Sequence, residues 1–395
     1  MFTLLSIKSY YICRSTSQHS GLNPKQKIYF PNLNGLRFIA VLLVIVQHIE
    51  MFKSLMNFES YWGIIQIIDI IGPLGVELFF VISGFLITYL LLSEEQNFKT
   101  ICVKKFYIRR ILRIWPLYFL ILILAFVVLP HINFFTLPHF EKDTIYQNYP
   151  LQLILLAIIF PNIAFNNGFV PYASQTWSIG TEEQFYLIWP VILKYIRKHR
   201  LLLMLSVIVF YNLSGILLTL SFTDFIPGKD TLTAYWSQFQ IDSIATGGVF
   251  ALLYFQKSKV AEWFLNTKLF YIALISIVLI VLSGIHIPFF QNEIFALFFG
   301  IIILNFAANK NIKISLESKL LSHLGTISYG LYMYHSIAIV ITIRLAAMFN
   351  FVNNWLIYPL SLFISIALAE LSYRYFERYF LKLKHRYSLL QSGNI

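Results

Sequence analysis

The sequence predicts an all-α polytopic membrane protein, with about ten transmembrane helices and one further short, re-entrant or partial segment. Three observations carry this expectation. Of the 395 residues, 58% are apolar and only 12% are charged, whereas a soluble domain is nearer half apolar and a quarter charged. The apolar residues gather into runs close to the roughly 20 residues that a helix needs to cross a bilayer. The basic residues gather between those runs, and clustered charge of this kind sets topology. A soluble enzyme and a disordered chain are thereby excluded. The net charge of +12 reads as the positive-inside bias of a membrane protein rather than as a nucleic-acid surface. Two cysteines, Cys13 and Cys102, cannot build a disulfide framework, and both are expected as reduced thiols on cytoplasmic segments.

Residues 1–30 are polar, lack a signal-peptide core and read as a cytoplasmic tail. Spans are then expected at 37–52, 74–92, 114–130, 184–196, 201–220, 236–255, 269–286, 288–306, 327–348 and 355–373. The run at 150–163 is short and ends at Pro161-Asn162. If it dips into the bilayer without crossing, every basic cluster falls on one side. Only Lys53, Lys142, Lys229 and Arg344 of the 30 Lys and Arg then lie opposite. If it crosses, all later clusters change side. The dip is therefore the expected arrangement, with both termini cytoplasmic and residues 386–395 as a second tail. No repeat, inverted half or Gly/Ser-rich linker divides the chain, so 31–385 reads as one transmembrane domain.

Ionisable groups inside spans cost about 2.5–3.5 kcal/mol or more at the bilayer centre, which makes each a functional candidate. Arg37 and His48 lie eleven residues apart on the first span. At about 100° and 1.5 Å per residue they share one helical face, roughly 16 Å apart along the axis. A histidine can take a proton from a hydroxyl and return it within one cycle. On the second span, Gly75, Ser83 and Gly84 permit close helix approach, while Glu77 stands among apolar neighbours. Arg109, Arg110 and Arg113 enter the third span in a basic run. That run suits anchoring on anionic lipid, and the i, i+4 pair Arg109 and Arg113 also suits a phosphate clamp. Ser178, Glu182 and Tyr186 recur at i+4, with Ser178 placed to cap a helix. Asp242 interrupts an apolar run four residues after Gln238, and Ser328, Tyr332 and His335 fall on one face of the ninth span. Tyr373, Arg374 and Glu377 close the last one. No P-loop, Cys/His metal spacing or G-x-S-x-G elbow occurs. These residues alone are compatible with an enzyme or with a proton-coupled carrier.

The motifs as a set resemble the acyltransferase-3 family of integral membrane acyltransferases, which O-acylate surface polysaccharides. The likeness runs from about Phe30 to Leu383. It rests on Arg37 and His48 (Arg-x10-His), on Gly75, Phe79, Phe80, Ser83 and Gly84, and on Arg109, Arg110, Arg113 and Pro116. It continues with Trp177, Ser178, Glu182 and Tyr186, then Ser328, Tyr329, Gly330, Leu331, Tyr332 and His335, then Ser372, Tyr373, Arg374 and Glu377. Asn34, Phe38 and Tyr379 depart from the family's usual residues.

The resemblance implies an enzyme of a bacterial cytoplasmic membrane that moves an acyl group from cytoplasmic acetyl-CoA or another acyl-CoA. The acceptor would be a hydroxyl of a surface or lipid-linked polysaccharide or glycolipid, with no metal, no nucleic acid and membrane lipid around it. It further implies His48 as general base or acyl carrier, assisted by Glu182 and Arg37. Arg109, Arg110 and Arg113 would bind the CoA phosphates. Ser178, Tyr186, Ser83, Asp242 and His335 would contact substrate. No esterase-like module follows the last span, so the membrane domain is expected to do the whole reaction. The rival expectation is a carrier or flippase for a glycolipid or organic anion.

Overall fold

The structure is a computed structural model, which describes residues 27–146, 149–165, 168–285, 287 and 290–393. The predicted N-terminal tail therefore lies mostly outside the described residues. The protein is an all-α, polytopic membrane protein: among the described residues, seven helices are long and apolar enough to cross a bilayer. The first, α1 (Leu33–Leu55), has no proline or internal break, so Arg37 and His48 ride on one continuous helix. α2 (Gln66–Phe98) is 33 residues long with Pro73 inside it. At 1.5 Å per residue it is about 50 Å long, well over a hydrocarbon core of about 30 Å. Its last turns project beyond the apolar layer, where Glu94 meets Arg109 (3.0 Å) and Glu95 meets Arg197 and Arg200 (2.8 and 2.6 Å). α3 (Val103–Ile123) continues through a π-turn and a short 3-10 turn to His131, with Pro130 removing the donor that would extend it.

The run at 150–163 contains no helix of crossing length. This part of the chain forms α4 (Lys142–Tyr146), α5 (Tyr149–Ala157) and α6 (Pro161–Ala164). The nine residues of α5 rise only about 14 Å. α7 (Trp177–Tyr195) begins well before the expected start at 184, so Ser178, Glu182 and Tyr186 all lie on it. α8 (Arg200–Thr219) turns Leu202, Leu205, Val209, Phe210 and Leu213 outward. An exposed apolar stripe of that length would aggregate in water and is satisfied by lipid.

The expected span 236–255 is corrected. It is split at Phe239-Gln240 into α9 (Lys229–Gln238) and α10 (Ile241–Phe255). Asp242 therefore opens a helix rather than sitting four residues along one helical face from Gln238. α11 (Lys259–Phe264), α12 (Thr267–Ser283), α13 (Gln291–Ala308), α14 (Lys319–Thr326) and α15 (Ser328–Met348) follow. α16 (Asn354–Ser372) runs through a π-turn at Tyr373–Glu377 into α17 (Arg378–Arg386).

α2 is the central helix, packed on α1, α7, α10, α12 and α13, while α15 and α16 pack together against α1. α17 folds back on α3. Lys27–Ile28 pairs in parallel with Gln391–Ser392, which brings the described ends of the chain to one end of the bundle. Cys102, expected as a reduced thiol, is disulfide-bonded. Cys102 sits buried at the start of α3; Cys13 lies outside the described residues.

The tightest crossing is that of α2 and α10. A Cβ added at Gly84 would stand 1.8 Å from the Ile244 carbonyl oxygen, and one at Gly247 would stand 2.1 Å from the Val81 carbonyl oxygen. Helices that share a bilayer gain little from hydrophobic exclusion, so backbone-to-backbone contact through small residues is what holds them. Gly84→Ala should therefore lower stability by about 1–3 kcal/mol and Gly84→Leu by more, read as the unfolding midpoint in detergent. An unchanged midpoint in Gly84→Ala would contradict this crossing.

Candidate active site

Three cavities run in series through the half of the bundle built by α1, α2, α3, α7 and α15. The first, about 380 Å³, is lined by Arg37, Arg113, Arg378, Lys382, Lys384 and His385, with Asn34, Thr326 and Tyr373 among its remaining walls. No carboxylate lines it among the described residues. Arg378, Lys382, Lys384 and His385 all come from α17, which the packing of α17 on α3 brings over the mouth.

Arg37 and Arg113 also line the second cavity, of about 120 Å³. One wall is apolar, with Val76, Phe79, Phe80 and Ile114. The other is polar, and its groups are linked. The Tyr186 hydroxyl donates to Glu182 (2.9 Å), and Ser83 in turn bonds to the Tyr186 oxygen. The Tyr332 hydroxyl donates to the Gln175 carbonyl (2.8 Å) and accepts from Ser178 (2.8 Å). Arg110 completes the wall between the rings of Phe106 and Tyr186, each 5.6 Å from its guanidinium carbon. Its Nε has no hydrogen-bond partner.

Val76 and Tyr332 are shared with the third cavity, about 290 Å³, where His48 stands among Gln47, Gln175, Trp177 and Gln238. No Lys, Arg, Asp or Glu lines this cavity among the described residues. His48 Nδ1 lies 2.9 Å from the Val44 carbonyl. A carbonyl oxygen only accepts, so in the neutral ring Nδ1 carries the hydrogen and Nε2 keeps the lone pair. His335 packs edge-on against it, ring centroids 4.8 Å apart, with its own Nδ1 tied to the Tyr332 carbonyl (2.6 Å). The two imidazoles thus share one arrangement, each braced by the turn before it on its own helix.

The structure therefore brings together Arg37, Arg110, Arg113, Ser83, Ser178, Glu182, Tyr186, His48 and His335. Arg109 and Asp242 fall elsewhere, and His335 reaches the site through its ring contact with His48, lining none of the three cavities. Arg109 is bound to Glu94 (3.0 Å) and donates to the Tyr387 carbonyl (3.2 Å), because a helix turns successive residues about 100° apart and Arg110 and Arg113 take the inner face. Asp242 is 1% exposed and lines none of the three cavities. Glu182 faces Tyr186 in the second cavity, whereas His48 lines the third. Ser178 is not a cap: the helix is entered from Thr176, and the Ser178 hydroxyl is directed at Tyr332. Sequence reasoning missed Arg378, Lys382, Lys384 and His385, which it left as basic residues beyond the last span without a role in the site. The signal available was their spacing, which keeps Arg378, Lys382 and His385 near one face of a helix.

Comparison with known proteins bears on this site. Residues 30–374 match the family model described as an acyltransferase domain. The peptidoglycan O-acetyltransferase OatA of Listeria monocytogenes is 28% identical over 366 residues, covering 88% of this chain and 55% of that protein. The O-acetyltransferase OatA of Staphylococcus aureus is 26% identical over 394 residues, covering 88% and 57%. The chain thus spans little more than half the length of these relatives. No solved structure matches. The family match takes in Arg37, His48 and every polar wall of the two inner cavities, and on its strength the chain belongs to the acyltransferase-3 family of membrane proteins.

Proposed function

We propose that this protein is a membrane O-acyltransferase that carries an acyl group, acetyl in the first instance, from acyl-CoA on one side of a bacterial cytoplasmic membrane to a glycan hydroxyl on the other. One observation carries the reading: three neighbouring cavities lie between a cation-lined mouth and His48 inside the bundle, the first two sharing Arg37 and Arg113 and the last two Val76 and Tyr332. By the positive-inside bias the cationic mouth is cytoplasmic. There Arg37, Arg113, Arg378, Lys382 and Lys384 hold the phosphates of CoA through charge-assisted bonds. The pantetheine arm, which alternates amides with methylenes, enters the second cavity. Its amides face Ser83, Ser178, Glu182 and Tyr186, and its methylenes face Val76, Phe79 and Phe80. The thioester then reaches the end of the third cavity beside His48.

The reaction needs no group beyond the imidazole. Nε2 of His48 takes the hydroxyl proton as the acceptor oxygen attacks the thioester carbonyl. The tetrahedral intermediate collapses with cleavage of the carbon–sulfur bond. The CoA thiolate recovers the proton from the imidazolium, leaving an ester, CoA thiol and neutral His48. The acceptor enters from the opposite face into a cavity of amide and aromatic groups. Because the relatives named above are peptidoglycan and related O-acetyltransferases, the acceptor proposed here is a hexosamine glycan of the cell envelope.

Three outcomes are expected. His48→Ala should lower kcat for acetyl transfer by about 100-fold to 10⁴-fold, the span of general base catalysis, while CoA binding by calorimetry stays within twofold; transfer at wild-type rate would remove His48 from the chemistry. Arg113→Gln and Lys382→Gln should each raise the KM for acetyl-CoA about tenfold, and Arg109→Gln should leave it unchanged while reducing folded protein through the lost Glu94 pair. A KM that responds to Arg109 instead would place the phosphates elsewhere. Finally, a cysteine placed at Asn350, in the turn beyond α15, should react with an impermeant maleimide only from outside intact cells. Labelling from the cytoplasm alone would invert the orientation.

A further inference from the structure

A fourth cavity, about 300 Å³, lies on the far side of α2 from His48 and adjoins the His48 cavity at Pro73, which lines both. Its walls include Gln66, Asp69, Glu77, Gln291 and Asn292, with the aromatic ring of Phe295 beside them. No Lys or Arg lines it among the described residues. Glu77 is 2% exposed, and its Oε1 has no hydrogen-bond partner although the side chain lines the cavity. A buried acceptor atom left unpaired is costly, and an unpaired acceptor that lines an open space is available to a donor brought from outside. The level in the bundle also fits. A Cβ at Gly72 would touch the Gln47 side chain, which places Gly72 and Pro73 beside the Gln47-His48 step, with Gln66 and Asp69 further toward the mouth of the third cavity.

We propose that this cavity is an acceptor subsite, holding the uncharged, hydroxyl-bearing sugar ring next to the one acylated at His48. The inference rests on the acyltransferase reading and extends it to the acceptor. The chemistry that selects the ligand is hydrogen-bond acceptance. Carboxylate and amide oxygens from Asp69, Glu77 and Asn292 receive sugar hydroxyls, and Phe295 offers an apolar face for the ring. A uronic or phosphorylated ring would set its anion against the Asp69 carboxylate, with no Lys or Arg lining the cavity among the described residues. The two ends of the protein are thus sorted by charge, with polyanion binding confined to the cationic mouth.

The test uses the full chain in detergent with labelled acetyl-CoA and two probes, N-acetylglucosamine and its β-1,4-linked tetrasaccharide. The expected result is a kcat/KM at least tenfold higher for the tetrasaccharide in the wild type. That preference should fall to about twofold or less in Glu77→Gln and in Asn292→Ala. The ratio is the readout because a loss of folded protein lowers both rates together and leaves it unmoved. Equal kcat/KM for the two probes in the wild type, or an undiminished ratio in both variants, would overturn the subsite. Transfer to neither probe would instead overturn the acyltransferase reading beneath it.

Discussion

The rigidity of one helix governs this protein. α1 runs unbroken from Leu33 to Leu55, so Arg37 and His48 are held on one face at a separation set by eleven residues of rise, about 16 Å. Everything in the proposed reaction is measured along that rod. Arg37 closes the cationic mouth and opens the inner passage; His48 ends it. The neighbouring helices supply walls at the heights that α1 dictates: Arg110 and Arg113 from α3 opposite Arg37, Ser178 and Glu182 from α7 between the two, and His335 from α15 against His48. A donor long enough to leave its charge at one end and its reacting atom at the other meets both residues at once.

Keeping such a passage open inside a bilayer requires dense packing elsewhere. The polar side chains of the second cavity satisfy one another through Ser83, Tyr186 and Glu182 and through Ser178 and Tyr332, so little of their polarity is left facing lipid. The opposite half of the bundle closes on itself where Gly84 and Gly247 let α2 and α10 touch backbone to backbone. α2 belongs to both halves. It gives the passage one wall while its other face seals the second core, which is why a single glycine on it is expected to matter so much.

Much of this was legible in residue spacing. The interval between Arg37 and His48 is helical geometry, and a continuous apolar run told in advance that one helix would carry both. The shortness of the run at 150–163 reappears as two helices too short to cross. The i+4 recurrence of Ser178, Glu182 and Tyr186 likewise survives as one face of α7. What spacing cannot carry is the choice among adjacent residues and among helices. Arg109 and Arg110 are equivalent in a string, and only the fold, which sets Glu94 at the end of α2 beside Arg109, ties the first down while the second turns inward. The break at Phe239-Gln240 hides inside an apolar stretch. The contribution of α17 depends on a π-turn that folds a plain basic tail over the mouth, a tertiary event with no local signature beyond Arg378 and Lys382 sharing a helical face. The meeting of His48 and His335 joins residues from opposite ends of the chain.

The central claim is that the acyl group crosses the protein while CoA stays on one side. Proteoliposomes with all copies in one orientation, acetyl-CoA confined to the side of the cationic mouth and an impermeant chitooligosaccharide confined to the other, test it directly. The account predicts labelled acetyl ester on the sugar, with every released CoA recovered on the donor side. Ester formed only when donor and sugar share a compartment would contradict it.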